Sequence, residues 1–459
     1  MQLHERLAEK SSLRPRPAGH IDPFGELKNR IHQELIATLG PQLFADGVEQ
    51  DEIRGQVEAE VGRLLENEPG IARSDRQRLI EEITNDTVGH GPLERLLADD
   101  TITEIMVNGA HDVWVERNGR LFETPVRFID DSHVRRLINK IVAQIGRRID
   151  ESSPMVDARL PDGSRVNAVI PPLSLSGPLV TIRKFSQRRL TLEDLVRLGT
   201  LTGTAVEFLE RCVKAELNML ISGGTGTGKT TLLNAVSSAI PDADRIVTIE
   251  DAAELRLNQR HVLRLEHRPS NIEGKGEVSI RDLVRNALRM RPDRIIVGEV
   301  RGSEALDMLQ AMNTGHDGSL CTVHANSPRD ALSRVETMVL MSGFELPVRA
   351  IRQQVSSALD LIVHLERLED GVRRVTSIAE VQRMEADVIT LQEMFKFEVR
   401  QVRADRTVVG ALQPTGIHPI FGEKFKKRGI ELPHELFGKQ PTASPLDARM
   451  RGVEARGRA

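Results

Sequence analysis

A glycine-rich stretch between an apolar run and a candidate helix carries the strongest chemical signal in the sequence. Residues 223–231 read GGTGTGKTT and fit the spacing G-x-x-x-x-G-K-[ST]. Glycines let several backbone N–H groups point at one phosphate, and a helix N-terminus adds partial positive charge. Lys229 would contact the β- and γ-phosphates, and the Thr230 hydroxyl would bind Mg²⁺.

The alternative for this stretch is a tight strand-to-helix turn without a ligand. The motif requires a strand before it and a helix after it, and both patterns are present here. We therefore predict a nucleoside triphosphate site. Its predicted loop residues are Gly223, Gly224, Thr225, Gly226, Thr227, Gly228, Lys229, Thr230 and Thr231.

A glutamate at the end of a second apolar run is the candidate for activating water. The run RIIVGEV carries Gly298 and Glu299 near its end. P-loop enzymes commonly end a second strand of the site with an acid that holds Mg²⁺ or orients the attacking water. A strand glutamate without such a role would leave a costly unpaired charge. We therefore predict that Glu299 is catalytic, although Gly298 stands where many P-loop enzymes have aspartate.

Three carboxylates follow a third apolar run, in the sequence TIEDAAELR: Glu250, Asp251 and Glu254. They repel one another unless a cation or basic side chains neutralise them. One interpretation is a solvated helix N-terminus with Asp251 as its cap. Because the cluster follows a strand in the P-loop region, we prefer a Mg²⁺ site with Glu250 and Asp251 beside Thr230. Glu250 would then assist catalysis and supply the acid that is missing at Gly298.

Two histidines flank a further strand pattern, in TGHDGSLCTVHANS. His316 and His324 are separated by a strand and do not have the spacing of a zinc pair on a helix. A single histidine is usually an ordinary polar side chain. Beside a P-loop, however, each is a candidate for contact with the nucleotide.

Composition and charge limit the remaining classes of function. The 459 residues carry a net charge of −4, which provides no long-range attraction to nucleic acid or to an anionic membrane. Trp114 is the single tryptophan and tyrosine is absent, which disfavours a base-stacking surface. Cys212 and Cys321 lie in apolar contexts, so buried thiols in a cytoplasmic chain are expected. The N-terminus does not resemble a signal peptide, and prolines interrupt the apolar stretch at 168–182, so direct membrane insertion is not expected.

Hydrophobic periodicity divides the chain into segments of different type. Helical spacing of apolar residues comes first, strand-like alternation follows, and repeated strand–helix units come last. Such repeats with a P-loop predict a parallel-type sheet wrapped by helices. The predicted segments are a disordered arm at 1–20, a helical bundle at 22–98, an α/β domain at 99–185, a linker and capping helix at 186–199, an ATPase domain at 200–435 and a disordered tail at 436–459.

Taken in order, the stretches GGTGTGKT, TIEDAAEL, RIIVGEVRGSEA and TGHDGSLCTVHANSP resemble the secretion ATPase superfamily of type II and type IV secretion and type IV pilus motors. They are similar to its Walker A loop, Asp box, Walker B strand and His box. The resemblance covers about residues 99 to 400. VWVERNGRL, IGRRIDESSPMVDARLPDGSRVNAVIPP and HANSPRDALSR further resemble the CpaF-like branch, the ATPases of tight-adherence (Flp/Tad) pili.

The resemblance implies an α/β fold, with a RecA-like P-loop ATPase core preceded by a mixed α/β N-terminal domain and a small helical bundle. It also implies ATP and Mg²⁺ as cofactors, water activation by Glu299 and nucleotide contact by His324. Family members use arginines of the N-terminal domain against the phosphates, partly from the neighbouring subunit. A delocalised cation stabilises charge that develops on the γ-phosphoryl oxygens. Among five candidates that include Arg147 and Arg148, we favour Arg159, Arg165 and Arg183.

The function expected from this resemblance is that of a cytoplasmic homohexameric motor. It would drive pilus assembly, with retraction as a further role left open, through inner-membrane platform proteins, with pilins as indirect partners and without nucleic acid. A conjugative or effector type IV secretion ATPase is the first alternative. A nucleic-acid translocase of RecA type and a nucleotide-gated scaffold are the others; the charge disfavours the former, and the presence of Lys229, Thr230 and Glu299 disfavours the latter.

Overall fold

The computed structural model describes residues 24–43, 50–117, 119–185, 189–270 and 275–438. The predicted arm at 1–20 and the tail beyond residue 438 lie outside the described residues. The chain forms two compact units, unit 1 at residues 1–186 and unit 2 at residues 187–459. Within the described ranges, no helix is both long enough and apolar enough to cross a bilayer.

Unit 1 begins with helices whose apolar residues recur every four positions, so that each helix buries one face. These helices are α1 (Gly25–Leu43), α2 (Gln50–Glu66), α3 (Arg73–Val88) and the short α4 (Glu94–Ala98). Their buried cluster contains Ile31 and Leu35 of α1, Val57, Val61 and Leu65 of α2, and Leu79 and Ile83 of α3.

The second half of unit 1 is a sheet with a helix packed on it. The elements are β1 (Ile102–Asn108), β2 (Val113–Arg117), β3 (Arg120–Glu123), α5 (Asp131–Gln144), β4 (Met155–Arg159), β5 (Arg165–Val169) and β6 (Leu179–Arg183). Neighbouring strands pair antiparallel in the order β3-β2-β1-β6-β5-β4. The Asp130 side chain caps α5 by accepting the His133 N–H. Val134, Ile138 and Ile141 of α5 join the same buried cluster as the sheet residues.

Unit 2 alternates strands and helices before it ends in long strands. Its first elements are α6 (Leu192–Arg197), α7 (Gly203–Lys214), β7 (Met219–Gly223), α8 (Lys229–Ser237), β8 (Ile246–Glu250), β9 (Val262–Glu266), α9 (Ile280–Ala287), β10 (Arg294–Val300), α10 (Glu304–Asn313) and β11 (Leu320–His324). Its later elements are α11 (Pro328–Leu340), α12 (Val348–Ala358), β12 (Leu361–Arg367), β13 (Arg373–Glu385), β14 (Val388–Val402), β15 (Val408–Pro414) and α13 (Gly422–Lys427).

The sheet of unit 2 has nine strands in the order β15-β14-β13-β12-β7-β11-β10-β8-β9. The pairs from β12 to β9 are parallel, whereas β12, β13, β14 and β15 pair antiparallel in succession. Residues of β7 alternate between two buried layers, because successive side chains point to opposite faces. Met219 and Ile221 pack in one layer and Leu220 in the other. β7 is therefore covered on both faces, and its carboxyl end can hold a loop in a fixed place.

The carboxyl part of unit 2 differs from the sequence-based prediction in two respects. The sheet is mixed, because the antiparallel strands β13 to β15 extend the parallel core. β14 continues to Val402 and β15 follows, in a stretch where the sequence pattern is weak. Much of the second half of β14 is exposed, so it lacks a clear apolar alternation. Leu436 and Phe437, assigned to the disordered tail, are buried against Phe208 and Phe395.

Candidate nucleotide site

The glycine-rich loop lies between β7 and α8, at the carboxyl end of a strand that is central in the sheet. A Cβ at Gly223 would lie 2.5 Å from the Leu365 carbonyl oxygen and 2.7 Å from the Thr227 Oγ1, so only glycine fits there. Gly228 caps α8 with a φ of 96°, a left-handed conformation that favours glycine. The first N–H groups of α8 are thereby left facing the loop, as phosphate binding requires.

Two side chains of the loop fold back on one carbonyl group. The Thr227 hydroxyl and the Lys229 ammonium each donate to the Gly224 carbonyl oxygen at 2.9 Å. Lys229 begins α8 and Thr230 and Thr231 follow it in the first helical turn. The Lys229 ammonium therefore lies against the loop backbone, where a bound phosphate would compete with the Gly224 carbonyl oxygen for it.

The structure brings His324 to the loop and places His316 elsewhere. β11 pairs with β7 so that His324 lies opposite Gly223, and its Nδ1 is 3.5 Å from the Thr225 Oγ1. His316 precedes β11, at the opposite edge of the sheet, and its N–H donates to the Ala311 carbonyl oxygen. Because a strand of this length separates the two edges by about 13 Å, the predicted contact between His316 and the nucleotide does not fit this placement.

Glu250 ends β8 and occupies the space beside Gly298. β8 and β10 are parallel neighbours, and Ile249 is paired with Val297, so the next residues of both strands adjoin. A Cβ at Gly298 would lie 3.0 Å from the Glu250 Cγ. The glycine before Glu299 thus makes room for the methylene groups of Glu250. This agrees with the prediction that Glu250 replaces the acid missing at Gly298, which stays a prediction.

The carboxyl group of Glu250 is buried, with only one of its two oxygens hydrogen-bonded. Glu250 is only 2% exposed. Its Oε2 accepts the N–H groups of Glu254 at 2.7 Å and Leu255 at 2.8 Å, whereas its buried Oε1 has no hydrogen-bond partner within the described residues. Burial raises the pKa of Glu250 to about 7. A hard cation such as Mg²⁺ would satisfy the remaining oxygen.

An arginine that the sequence analysis did not select links the other two acids. Arg301 donates from Nη2 to Glu299 Oε2 at 2.6 Å and from Nη1 to Asp251 Oδ2 at 3.2 Å. His267 Nδ1 lies 3.1 Å from the other Asp251 oxygen. The signal that could have found Arg301 is its position two residues after Glu299, on the same side of an extended backbone. A cluster of acids at one sheet edge also requires a counter-cation.

These acids do not form a ready-made metal cluster: within the ranges that the structure describes, no group of three or more His, Cys, Asp or Glu residues is arranged to hold a metal ion. Mg²⁺ typically takes one or two protein carboxylates and completes its shell with water and substrate phosphates. The buried Oε1 of Glu250 is the oxygen best suited to such a partial site. That Thr230, Glu250 and Asp251 together hold Mg²⁺ stays a prediction.

The three arginines predicted for phosphate contact lie in unit 1 and form one row across its sheet. Arg159 of β4 is opposite Arg165 of β5, which is opposite Arg183 of β6. Directly opposed residues of antiparallel strands share a face, so three cations follow one another at the strand spacing of about 4.8 Å. Like charges in this arrangement repel one another. The Arg183 side chain is 57% exposed and lies 3.8 Å from Glu104. Its contact with phosphate stays a prediction.

The fold and the site together define a P-loop protein with a RecA-like ATPase core. The loop follows β7, and the strand that ends in Glu299 is separated from it by β11 alone. Residues 86–409 match the family model of the Type II/IV secretion system protein, and residues 24–88 match that of the Type II secretion system protein E, N-terminal domain. The chain belongs to the type II/IV secretion system protein family.

Relatives and solved structures of this family come from several secretion systems. Conjugal transfer protein TrbB of Rhizobium radiobacter is 33% identical, over 62% of this chain and 85% of its own. Type IV secretion system protein PtlH of Bordetella pertussis is 38% identical, over 61% of this chain and 89% of its own. The crystal structure of the VirB11 ATPase of Brucella suis in complex with sulphate is 32% identical in sequence. The match covers 63% of this chain and 95% of that chain, with a TM-score of 0.35. The pilus retraction motor PilT with bound ADP is 21% identical and covers 64% and 82%, with a TM-score of 0.48.

Proposed function

We propose that this chain is a homohexameric motor that hydrolyses ATP at the cytoplasmic face of the inner membrane. The work is assembly of a type IV pilus of the tight-adherence class through inner-membrane platform proteins. The observation that carries ATP hydrolysis is the meeting of the loop at 223–231 with the acids Glu250, Asp251 and Glu299 at one edge of one sheet. The pilus branch is supported by the sequence resemblance and by the helices at 24–88, which match a type II secretion domain.

Binding of ATP uses the loop and the first turn of α8. The backbone N–H groups of the loop cradle the phosphates, and Lys229 turns from the Gly224 oxygen to the β- and γ-phosphates. His324, which already lies beside Thr225, contacts the nucleotide at the same edge. Thr230, Glu250 and Asp251 would hold Mg²⁺, which when bound neutralises charge between the β- and γ-phosphates.

Hydrolysis requires that Glu299 orients water in line with the γ-phosphorus and accepts its proton. In the structure, the Glu299 carboxylate is held by Arg301, so this ion pair must open or shift before the carboxylate can face water. The same movement releases Asp251, since Arg301 holds both acids. Arg301 is then free to bind phosphate oxygens, which makes it a positioning residue for the hydrolytic step.

The arginine row of unit 1 supplies further positive charge in this proposal. Arg159, Arg165 and Arg183 would stabilise the γ-phosphoryl group of a neighbouring subunit. Charge that develops in the transition state is best stabilised by delocalised, preorganised cations. Such a shared site needs a ring, because each nucleotide would lie between two copies of the chain.

Phosphate release from purified protein tests ATP hydrolysis. Lys229→Ala should abolish both nucleotide binding and turnover, whereas Glu299→Gln should abolish turnover and retain binding of a fluorescent ATP analogue. Lys214→Ala, at the exposed carboxyl end of α7, is the matched control. Undiminished phosphate release by Glu299→Gln would refute the assigned role of Glu299.

A conjugative or effector type IV secretion ATPase is the second candidate, because TrbB and PtlH belong to such systems by name. Complementation of a deletion strain separates the two functions. Restored surface pilin without any change in DNA or effector transfer would support the pilus motor. Restored transfer with unchanged surface pilin would support the secretion ATPase.

A further inference from the structure

Unit 1 contains a cleft with a volume of about 640 Å³, which we name the α1–α5 cleft. It is lined by His32 of α1, Asp86 and Val88 of α3, and Leu137 and Ala143 of α5, among others. Clefts of roughly 300–1,000 Å³ are typical of small-molecule sites. None of the candidate residues of the nucleotide site lines it. The cleft therefore requires an explanation of its own.

Most charged groups of the cleft are held by the protein. The Lys28 ammonium is 2.5 Å from Glu82. His133 receives the Ile129 N–H at Nδ1, so its Nε2 carries the hydrogen that faces Asp86 at 3.3 Å. These contacts fix the side chains and leave their groups little freedom to bind another molecule.

Lys140 connects the two walls of the cleft. Its ammonium donates to the carbonyl oxygens of Thr87 at 2.7 Å and Gly89 at 2.6 Å, which ties α5 to the end of α3. Burial lowers its pKa to about 8, so it remains mostly charged at neutral pH. It contributes positive potential, with two of its three N–H groups used.

Arg136 is the exception among the cations of the cleft. Arg136 is exposed, and its guanidinium has neither a hydrogen bond nor an ion pair with any residue that the structure describes. Lys28, Arg136 and Lys140 are the cations of the lining and Asp86 is its carboxylate; Glu82 and Glu94, outside the lining, act on Lys28 and Lys140. The cleft thus combines one available cation with the apolar walls of Val88, Leu137 and Ala143.

We propose that the α1–α5 cleft binds a small organic anion, with its acid group on Arg136 and its apolar ring or chain between α3 and α5. An arginine fork suits a carboxylate, sulfonate or phosphate monoester, since it offers two parallel N–H donors. Arg136 offers a single fork, which favours a molecule with one acid group over a molecule with several. The apolar walls exclude small inorganic anions as the preferred ligand, because these would leave the walls in contact with water.

One further group determines which organic anions fit. His32 Nδ1 lies 3.3 Å from the Thr87 hydroxyl, which itself donates to the Ile83 carbonyl oxygen. His32 must therefore donate from Nδ1, and its Nε2 is an acceptor while the ring is neutral. Burial lowers the pKa of His32 and keeps it neutral at pH 7. A ligand with a hydroxyl or N–H group besides its acid group gains a hydrogen bond there.

The test uses 8-anilinonaphthalene-1-sulfonate, which has a naphthalene and a phenyl ring system, one N–H and one sulfonate, on the full chain. N-phenyl-1-naphthylamine, which lacks the sulfonate, is the uncharged partner probe. Arg136→Gln should weaken sulfonate-probe binding about 5- to 10-fold, as expected for loss of one charge-assisted pair, and leave the uncharged probe unaffected. Arg135→Gln, the adjacent residue of α5 outside the cleft, is the matched control.

A second variant blocks the cleft itself. For both probes, Ala143→Trp should abolish the saturable binding of one molecule per chain. Exposed apolar side chains elsewhere, such as Met341 and Phe344, also bind such probes, so the result is the difference between variants. Equal affinities of Arg136→Gln and Arg135→Gln would overturn the proposal. Unchanged saturable binding in Ala143→Trp would do so too, and would identify adventitious binding only.

Discussion

Replacement of Glu250 by glutamine should stabilise the folded protein at high pH while it impairs the site. Glutamine has the same shape, and its oxygen can still accept the two N–H groups of Glu254 and Leu255. Its amide nitrogen takes the position of the buried Oε1, which has no hydrogen-bond partner in the described chain. The variant therefore removes a buried negative charge without opening a cavity.

The magnitude follows from the pKa of Glu250, which burial raises from 4.5 to about 7. The folded protein binds this proton more tightly than the unfolded chain, so the free energy of unfolding falls as the pH rises between these two values. Above pH 7 the ionised carboxylate costs about 3 kcal/mol, since one pKa unit corresponds to ~1.4 kcal/mol. At pH 5 the cost is only about 1 kcal/mol.

Urea unfolding at pH 5 and pH 8.5 measures this difference. Circular dichroism follows the whole chain, and the fluorescence of Trp114 on β2 reports unit 1 alone, because the protein has no other tryptophan and no tyrosine. We expect the free energy of unfolding of Glu250→Gln to exceed that of the wild type by about 3 kcal/mol at pH 8.5 and about 1 kcal/mol at pH 5. The unfolding transition reported by Trp114 fluorescence should be the same in both proteins.

Glu207→Gln, at an exposed position paired with Arg211 on α7, controls for general effects of removing a carboxylate. A stability gain for Glu250→Gln that is equal at both pH values would refute the argument from a buried charge. A loss of stability at pH 8.5 would show that the carboxylate is stabilised by groups that these contacts do not include.

Three further predictions concern the nucleotide site. Arg301→Gln should lower both the turnover number and the Mg²⁺ concentration for half-maximal phosphate release, because Arg301 competes for Asp251 and, once released from Glu299, binds phosphate oxygens; a higher Mg²⁺ requirement would contradict this. Gly298→Ala should destabilise the protein by about 1–2 kcal/mol in urea unfolding, because its Cβ would lie 3.0 Å from the Glu250 Cγ; unchanged stability would show that Glu250 moves freely. Mixing inactive Lys229→Ala and Arg165→Ala chains and letting them reassemble should restore about a quarter of wild-type phosphate release if Arg165 acts on a neighbouring subunit, and none if it acts within its own chain.

Local sequence patterns were sufficient for the features that depend on neighbouring residues. The loop at 223–231 is recognisable because the glycines, lysine and threonines that form it are consecutive in the sequence. The helix predicted within 186–199 is present as α6, and Thr191 caps it by a contact between residues only three positions apart. Repeated strand–helix patterns predicted a sheet wrapped by helices, and the family resemblance implied the RecA-like core.

Long-range packing decided which of the predicted residues meet. Glu250 and Gly298 are far apart in sequence, and only the pairing of β8 with β10 shows that one makes room for the other. Strand direction likewise brings His324 to the loop and places His316 at the opposite edge.

The opening motif thus identifies a phosphate-binding loop, but the sequence alone could not show what surrounds it. Arg301 was missed because an arginine is common in this chain, and its significance comes from holding two acids that lie on different strands. The row formed by Arg159, Arg165 and Arg183 likewise depends on strand register, which a single sequence does not specify. A site built from consecutive residues can be predicted from their order in the sequence. Contacts between strands exist only once the sheet has formed.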